Sequence, residues 1–403
     1  GEEFSSLMVE TSQTHRAELE HVPSAADFAD AISDDPASAG LLSESEVESL
    51  LRGHAAMETV SKEQAQSDVS LLFRTLQSAY GAYEYFGQEK FDAAEDAVTQ
   101  WLSSQDDEIK VSALGEKLQE SLAFMLAHDA HAVIYEPAAE EIEAQVRYEY
   151  FFADGFYFSK DVNGSYYMVN DGERWTLSSF SDEHVSVQPT LLQDGRIVYQ
   201  PTLFALRKDA VQSSVTLKNS SGKAKIYRLD WTESQPLDVD LGTLDYRLIQ
   251  EDGLTYVSLR SFVSGTYDNM LARYAREGAK ARGSKAVIYD LRGNVGGSDS
   301  WPRKWIQSFL GTQNRIETSM LYAQKNSALF AAENSESLLP EDEGTCFARE
   351  VHGTWYENDI PIIVLVDDHC GSSGEGAVQL LKTLDNVLIV GSNTAGYQLC
   401  GNI

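Results

Sequence analysis

Three short apolar runs in the last third of the chain, KAVIYDL (285–291), PIIVLVD (361–367) and NVLIV (386–390), are separated by the helix-like stretches NMLARYAREGA, WPRKWIQSFL and Ser373 to Leu384. Apolar strands that lack polar alternation are buried on both faces, and strands that alternate with helices pair in parallel through crossover connections. This part of the chain is therefore expected to fold as an α/β core around a mainly parallel sheet. A long polar stretch, residues 313–358, interrupts the alternation. Insertions of that length commonly sit over sites.

Upstream the pattern changes twice. Ser61 and Gln64 have the spacing of a capping box, and Val69, Leu72, Leu76, Tyr80 and Tyr83 recur every three or four residues, which predicts a helix. FDAAEDAVTQWL and Val111–Ala127 repeat the pattern, the latter with Leu114, Leu118, Leu122 and Met125 on one face. In SYYMV-NDGE-RWTL and SVTLK-NSSGK-AKIYRL, aromatic and β-branched residues flank turn residues, as in hairpins. The expected organisation is an acidic leader over 1–60 with weak commitment to a core, a helical domain over 61–148, a β-rich module over 149–243 and the α/β core over 244–403.

Charge narrows the function classes. Against 63 acidic side chains stand 31 basic ones, a formal charge of -32 that repels a phosphate backbone and an anionic membrane surface alike. Nucleic acid is not an expected partner. The apolar runs fall far short of the ~20 residues that span a bilayer. Cys346, Cys370 and Cys400 are too few for a disulfide framework and lack the spacing of a zinc site, so a single Cys370–Cys400 bridge competes with free buried thiols. No cofactor and no metal is expected. A chain that starts at Gly1 shows no signal peptide, as a processed secreted protein would not.

Two strand ends break into glycine-rich turns, YDLRGNVGGSDS and DDHCGSSGEG. In an open α/β sheet, ligands bind beyond the carboxyl ends of the strands, so both turns should face one crevice. Amides at Gly296, Gly297 and the first turn after Ser372 would then converge as they must to hold an oxyanion. Ser372 stands at the helix entry, where Gly371 and Gly374 leave room for a substrate backbone. An ordinary helix N-cap would explain the same serine, and the Gly-x-Ser-x-Gly elbow fits neither Ser372 nor Ser373. His128, His131 and His369 are the candidate bases, each with a plain structural role as the alternative. His128 and His131 together supply only two metal ligands. Glu375 suits the first turn of a helix, where its charge complements the dipole.

AVIYDLRGNVGGS resembles the Asp-Leu-Arg-x-Asn-x-Gly-Gly signature of the tail-specific, or C-terminal processing, serine peptidases. VLVDDHCGSSGE is similar to that family's Ser-x-x-Glu turn, LIVGSNTAG to its Gly-x-x-Thr-x-Gly segment, and HDAHAVI to the Asp-Gly-His-Thr segment that precedes the variable module. The resemblance implies a core related to the ClpP and crotonase folds, preceded by a helical unit and a module where relatives carry a PDZ domain; YYMVNDGERWTL is similar to the strand and turn of such a domain. It implies Ser372 as nucleophile, the N–H of Ser373 with that of Gly296 or Gly297 as oxyanion hole, and Glu375 and Thr394 as supporting positions. The Ser/Lys branch places its base where this chain has Tyr397, whose phenol cannot serve in the same way near neutral pH. The tricorn-core and retinoid-binding-protein branch uses a histidine from the helical unit, and His131 matches it, although Ala130 replaces the serine found in the tricorn enzyme. That branch also orients its histidine with a glutamate from beyond the Gly-x-x-Thr-x-Gly segment; the sequence ends at Ile403 before any such residue, so either it is cut short or the catalytic set is incomplete. Family members mostly work outside the cytoplasm, so a secreted or cell-envelope location is implied.

Three readings follow. A serine endopeptidase would cleave proteins or peptides through an acyl-enzyme on Ser372 with His131 as base. An inactive relative would hold a peptide or an apolar small molecule in the same crevice, which Tyr397 and the missing orienter favour. A crotonase-type acyl-CoA enzyme would use the same glycine-rich amides but needs no Ser372, and the sequence offers no basic cluster for CoA phosphates. The oligomeric state cannot be read from the sequence.

Overall fold

The computed structural model describes residues 2–52, 57–134, 148–192, 194–206, 212–233, 246–265 and 267–398. Its last third is organised by a five-stranded sheet whose strands follow chain order: Arg247–Glu251, Leu254–Ser258, Ala286–Asp290, Ile362–Val366 and Val387–Gly391. The first two pair antiparallel across the Asp252/Gly253 turn, and every later neighbour is parallel. The helices Asp268–Glu277, Ser300–Leu310 and Ser373–Leu381 make the crossovers. Val257, Val287, Tyr289, Val364, Val366 and Val387 from the sheet meet Leu271, Trp305, Phe309, Ala377 and Leu381 from the helices in one buried cluster. This is the mixed α/β architecture that the alternation of apolar runs predicts.

A second cluster lies in the helical region. Ser61 caps the helix Lys62–Ala79 by accepting the N–H of Gln64 at 3.1 Å, but the Gln64 amide reaches forward to Asp68 instead of completing a capping box. Val69 and Phe73 pack there with Phe91, Val98 and Leu102 of the helix Gln88–Ser103. The expected single helix from Val111 to Ala127 is instead two, Val111–Ser121 and Ala123–Leu126. The second ends just before the loop that carries His131.

Between these regions stand two antiparallel sheets of five and four strands, which share one cluster built around Trp175, Phe151, Phe158, Leu203 and Leu217. The hairpin Tyr166–Asn170/Glu173–Phe180 turns through Asp171 and Gly172, both at positive φ. Two residues with φ > 0 are the requirement of the tight hairpin turn that Asn-Asp-Gly-Glu signals.

The first 20 residues depart from the expectation of weak commitment. The helix Glu2–Glu20 buries Met8, His15 and Leu19 and lies beside the strand Val387–Gly391. Ser12 Oγ accepts the N–H of Asn386 at 2.9 Å, and Leu19 O accepts a hydrogen bond from the Ser319 hydroxyl. The 313–358 insertion folds back as a hairpin, Met320–Lys325 with Cys346–Val351. Its bonds run to the N-terminal segments: Cys346 N–H to Asp34 at 2.7 Å, Glu350 to Ala25 N–H at 2.9 Å, and the buried Lys325 ammonium to Gln77 O and Glu84. No described helix is long and apolar enough to cross a membrane.

Candidate active site

Parallel pairing puts the carboxyl ends of the strands that finish at Asp290 and Val366 side by side, and their two turns are stitched together. Leu291 N–H donates to Leu365 O at 2.9 Å, Gly293 N–H to the Asp367 carboxylate at 2.9 Å, Gly371 N–H to Asn294 O at 2.9 Å, and the Ser373 hydroxyl to Gly297 O at 2.9 Å. The first turn has a buried base. Asp290 is fully buried, accepts Nε and Nη2 of Arg292 at 2.9 and 2.8 Å and the Tyr256 hydroxyl at 2.7 Å. Burial opposes its charge, but the hydrogen bonds from Arg292 and Tyr256 outweigh it and hold the carboxyl below its ordinary range.

Ser372 adopts φ 51° and ψ −121° at the entry to the helix Ser373–Leu381. A non-glycine residue in that region is strained, and strain of this kind persists only where the surroundings impose it. The surroundings here are Gly296 and Glu375. A Cβ on Gly296 would fall 2.6 Å from the Ser372 Cβ, so only glycine lets the two turns meet. Glu375 accepts the Ser372 N–H at 3.1 Å.

Of the two amides that the sequence leaves open for an oxyanion hole, that of Gly296 is occupied: it donates to the side chain of the buried Asn294 at 2.9 Å. The amides of Gly297 and Ser373 carry no hydrogen bond among the described residues. Both lie beside Ser372: the Ser373 hydroxyl donates to Gly297 O at 2.9 Å, and a Cβ on Gly296 would fall 3.0 Å from Ser373 N.

Glu375 proves to be a junction, which its place in a first helical turn does not reveal. It is buried, and besides Ser372 it accepts the Thr394 hydroxyl at 2.6 Å and the N–H groups of Gly396 and Tyr397, both at 2.8 Å. Ala395 N–H adds a bond to Cys370 O at 2.9 Å. Segment 394–397 is thereby fastened to the serine turn.

His131 reaches the same neighbourhood from the helical region. Its N–H donates to the Asp129 carboxylate at 3.0 Å, and the other oxygen of that buried carboxylate accepts the Tyr80 hydroxyl at 2.8 Å. Its ring stands edge-on to Tyr397 with centroids 4.6 Å apart, and Tyr397 in turn lies over Gly371, where an added Cβ would come within 2.9 Å of the phenol ring. Among the described residues no hydrogen bond joins His131 to Ser372, and the buried Nδ1 of His131 makes none. The His128 ring is tilted against Phe86, with centroids 6.1 Å apart. His369 lies beside Asp367 and Asp368. Cys370 is fully buried, and burial first, then the charge of Glu375, pushes its thiol up far out of the reactive range. Cys400, its suggested disulfide partner, lies outside the described residues.

Sequence reasoning missed Asn294, Asp129, Tyr80 and Asp367. Asn294, Asp129 and Asp367 stand inside quoted signatures, but their hydrogen-bond partners are set only by the folded turns.

Residues 253–402 match the family model of peptidase family S41, a family of serine peptidases. The match takes in the α/β core from its second strand onward and includes Ser372, Glu375 and Thr394. No curated protein sequence matches the chain. Among solved structures, mature CPAF aligns at 13% identity over 83% of this chain and 84% of that one with a TM-score of 0.41. The photosystem II D1 C-terminal processing protease aligns at 13% over 83% and 82%, TM-score 0.32. A lipoprotein from Streptococcus agalactiae aligns at 13% over 86% and 80%, TM-score 0.31. Structural likenesses of that size carry no chemistry to this chain.

Proposed function

We propose that this chain is a serine peptidase that acylates Ser372. The observation that carries the reading is the strained Ser372 backbone beside two unoccupied amides, Gly297 and Ser373. The Ser372 oxygen attacks a peptide carbonyl, and the C–O bond forms as the carbonyl electrons move onto the oxygen between the two amides. His131 takes the hydroxyl proton and returns it to the leaving amine as the C–N bond breaks; water then hydrolyses the ester by the same route. Substrates on this reading are proteins or peptides, and an extracytoplasmic location and the division of the chain near residues 60, 148 and 243 belong to the same proposal.

Tyr397 favours a second reading. Its ring touches His131 and covers Gly371, so the crevice as folded holds an aromatic side chain where a base should meet the serine. A protein that grips a peptide or an apolar molecule would need that surface and no proton transfer. Labelling by a fluorophosphonate separates the two. Labelling of the wild type that is abolished by Ser372→Ala and reduced at least about a hundredfold by His131→Ala supports the peptidase. A folded wild type that does not label supports the binding protein.

A further inference from the structure

The residues between the strand Ile362–Val366 and the serine turn are Asp367, Asp368 and His369. They offer one ligand atom each, all within 4.8 Å of one another. Asp367 is 4% exposed. Its Oδ1 accepts the N–H of Gly293 at 2.9 Å and that of His369 at 3.2 Å. Those two bonds fix the carboxylate plane and aim Oδ2 toward the imidazole, whose Nδ1 is 3.9 Å away; Asp368 Oδ1 approaches the same nitrogen at 3.2 Å. Asp367 Oδ2, Asp368 Oδ1 and His369 Nδ1 are all buried, and none has a hydrogen-bond partner among the described residues.

A carboxylate oxygen taken out of water with no partner is costly, by roughly 1–3 kcal/mol or more. A proton on Nδ1 could answer one of the two oxygens but not both, because Asp367 Oδ2 stands too far for a hydrogen bond. Arg292 feels the charge of Asp367, but its Nε and Nη2 are engaged by Asp290. A single divalent cation would satisfy all three atoms at once.

We propose that Asp367, Asp368 and His369 form a binding site for one divalent transition-metal ion, with water completing its coordination. Two carboxylates and an imidazole suit zinc or manganese better than calcium, which takes oxygen ligands alone. The 3.2 Å between Nδ1 and Asp368 Oδ1 is close to the ~3.3 Å edge of a tetrahedron around zinc at its usual bond lengths, and a swing of Asp368, whose side chain is 45% exposed, closes the third side. The Gly293 bond to Asp367 supplies the outer hydrogen bond that ligating carboxylates commonly have. Such an ion departs from the expectation of a metal-free protein. It would clamp the turn three residues before Ser372, and it stands or falls independently of the peptidase reading.

The test is calorimetric titration of the full chain, stripped by chelation, with zinc chloride, together with the visible absorption of a cobalt(II) titration. The expected result is one zinc per chain, a cobalt band that indicates nitrogen and oxygen ligands at low coordination number, and binding weakened at least about tenfold by His369→Ala and by Asp368→Asn. Circular dichroism checks that both variants fold, and the wild type alone should melt at a higher temperature with zinc present. Failure of the wild type to bind one zinc would overturn the proposal. So would zinc affinity and a cobalt spectrum unchanged in both variants, since the metal would then sit elsewhere on this acidic chain.

Discussion

Glu375 Oε2 accepts the N–H of Tyr397 at 2.8 Å and, with the same oxygen, the N–H of Ser372 at 3.1 Å. One buried carboxylate thus sets both the Ser372 backbone and the segment whose Tyr397 ring lies over Gly371. Glu375→Gln preserves the shape but replaces one acceptor oxygen with an NH2 that would face N–H donors. The expected outcome is a loss of about 3 kcal/mol of stability, from charge-assisted bonds broken and donors left buried, and a loss of fluorophosphonate labelling. Chemical denaturation and labelling rates measure the two. A variant as stable as the wild type would mean that segment 394–397 is held by other contacts.

Gly296 tests the meeting of the two turns. It sits at φ +101°, and a methyl group there would lie 2.6 Å from the Ser372 Cβ and 2.8 Å from Gly371 O. Gly296→Ala is expected to force the turns apart, with roughly 2–3 kcal/mol lost to backbone strain and overpacking and with labelling of Ser372 abolished. If labelling persists at the wild-type rate, the serine does not depend on this contact.

The two strand ends and their convergence were legible in the sequence because apolar runs and glycine clusters are local signals. So were the hairpin turns, since Asp171 and Gly172 supply the positive φ that a two-residue turn demands. The links that finish the site were not. Glu375 finds its partners 19 to 22 residues later, and nothing in a Ser-x-x-Glu spacing tells a helix cap from a junction. Asn294 occupies the Gly296 amide, so the choice between two adjacent glycines depended on a side-chain rotamer. The docking of Glu2–Glu20 was hidden for another reason: among its described side chains only Met8, His15 and Leu19 are buried in a polar, acidic helix, and its hydrogen bonds to the core are single bonds to residues 300 or more positions away. The direction in which the 313–358 insertion folds, toward the N-terminal segments, was not legible either, because length and polarity say nothing of direction.

Tyr397 discriminates between a blocked and a productive crevice. If its ring restricts access to Ser372, Tyr397→Ala should raise the labelling rate about tenfold, equivalent to about 1.4 kcal/mol off the barrier, while the N–H bond to Glu375 is kept. A drop in rate would instead assign the ring to binding or to positioning His131, against which it packs edge-on.

The helix Glu2–Glu20 carries a pH dependence that follows from His15. This histidine is 7% exposed, lies near Lys382, and in the folded chain titrates at about 4 instead of 6.5; burial is the main cause, Lys382 adds to it and Glu18 opposes it. Between those two values the unfolded chain binds a proton that the folded chain refuses. The neutral-ring stability is therefore complete above about pH 6.5 and declines as pH falls toward 4, by roughly 2 kcal/mol after allowance for solvent screening. Thermal melts at pH 7.5, 6 and 5 should show the decline in the wild type and a shallower one in His15→Gln, which cannot titrate. Lys160 binds Glu10 at 2.8 Å and Lys382 pairs with Glu18, so the same helix also carries ion pairs to the β-rich region and the core. Equal slopes in the two proteins would place the acid sensitivity elsewhere.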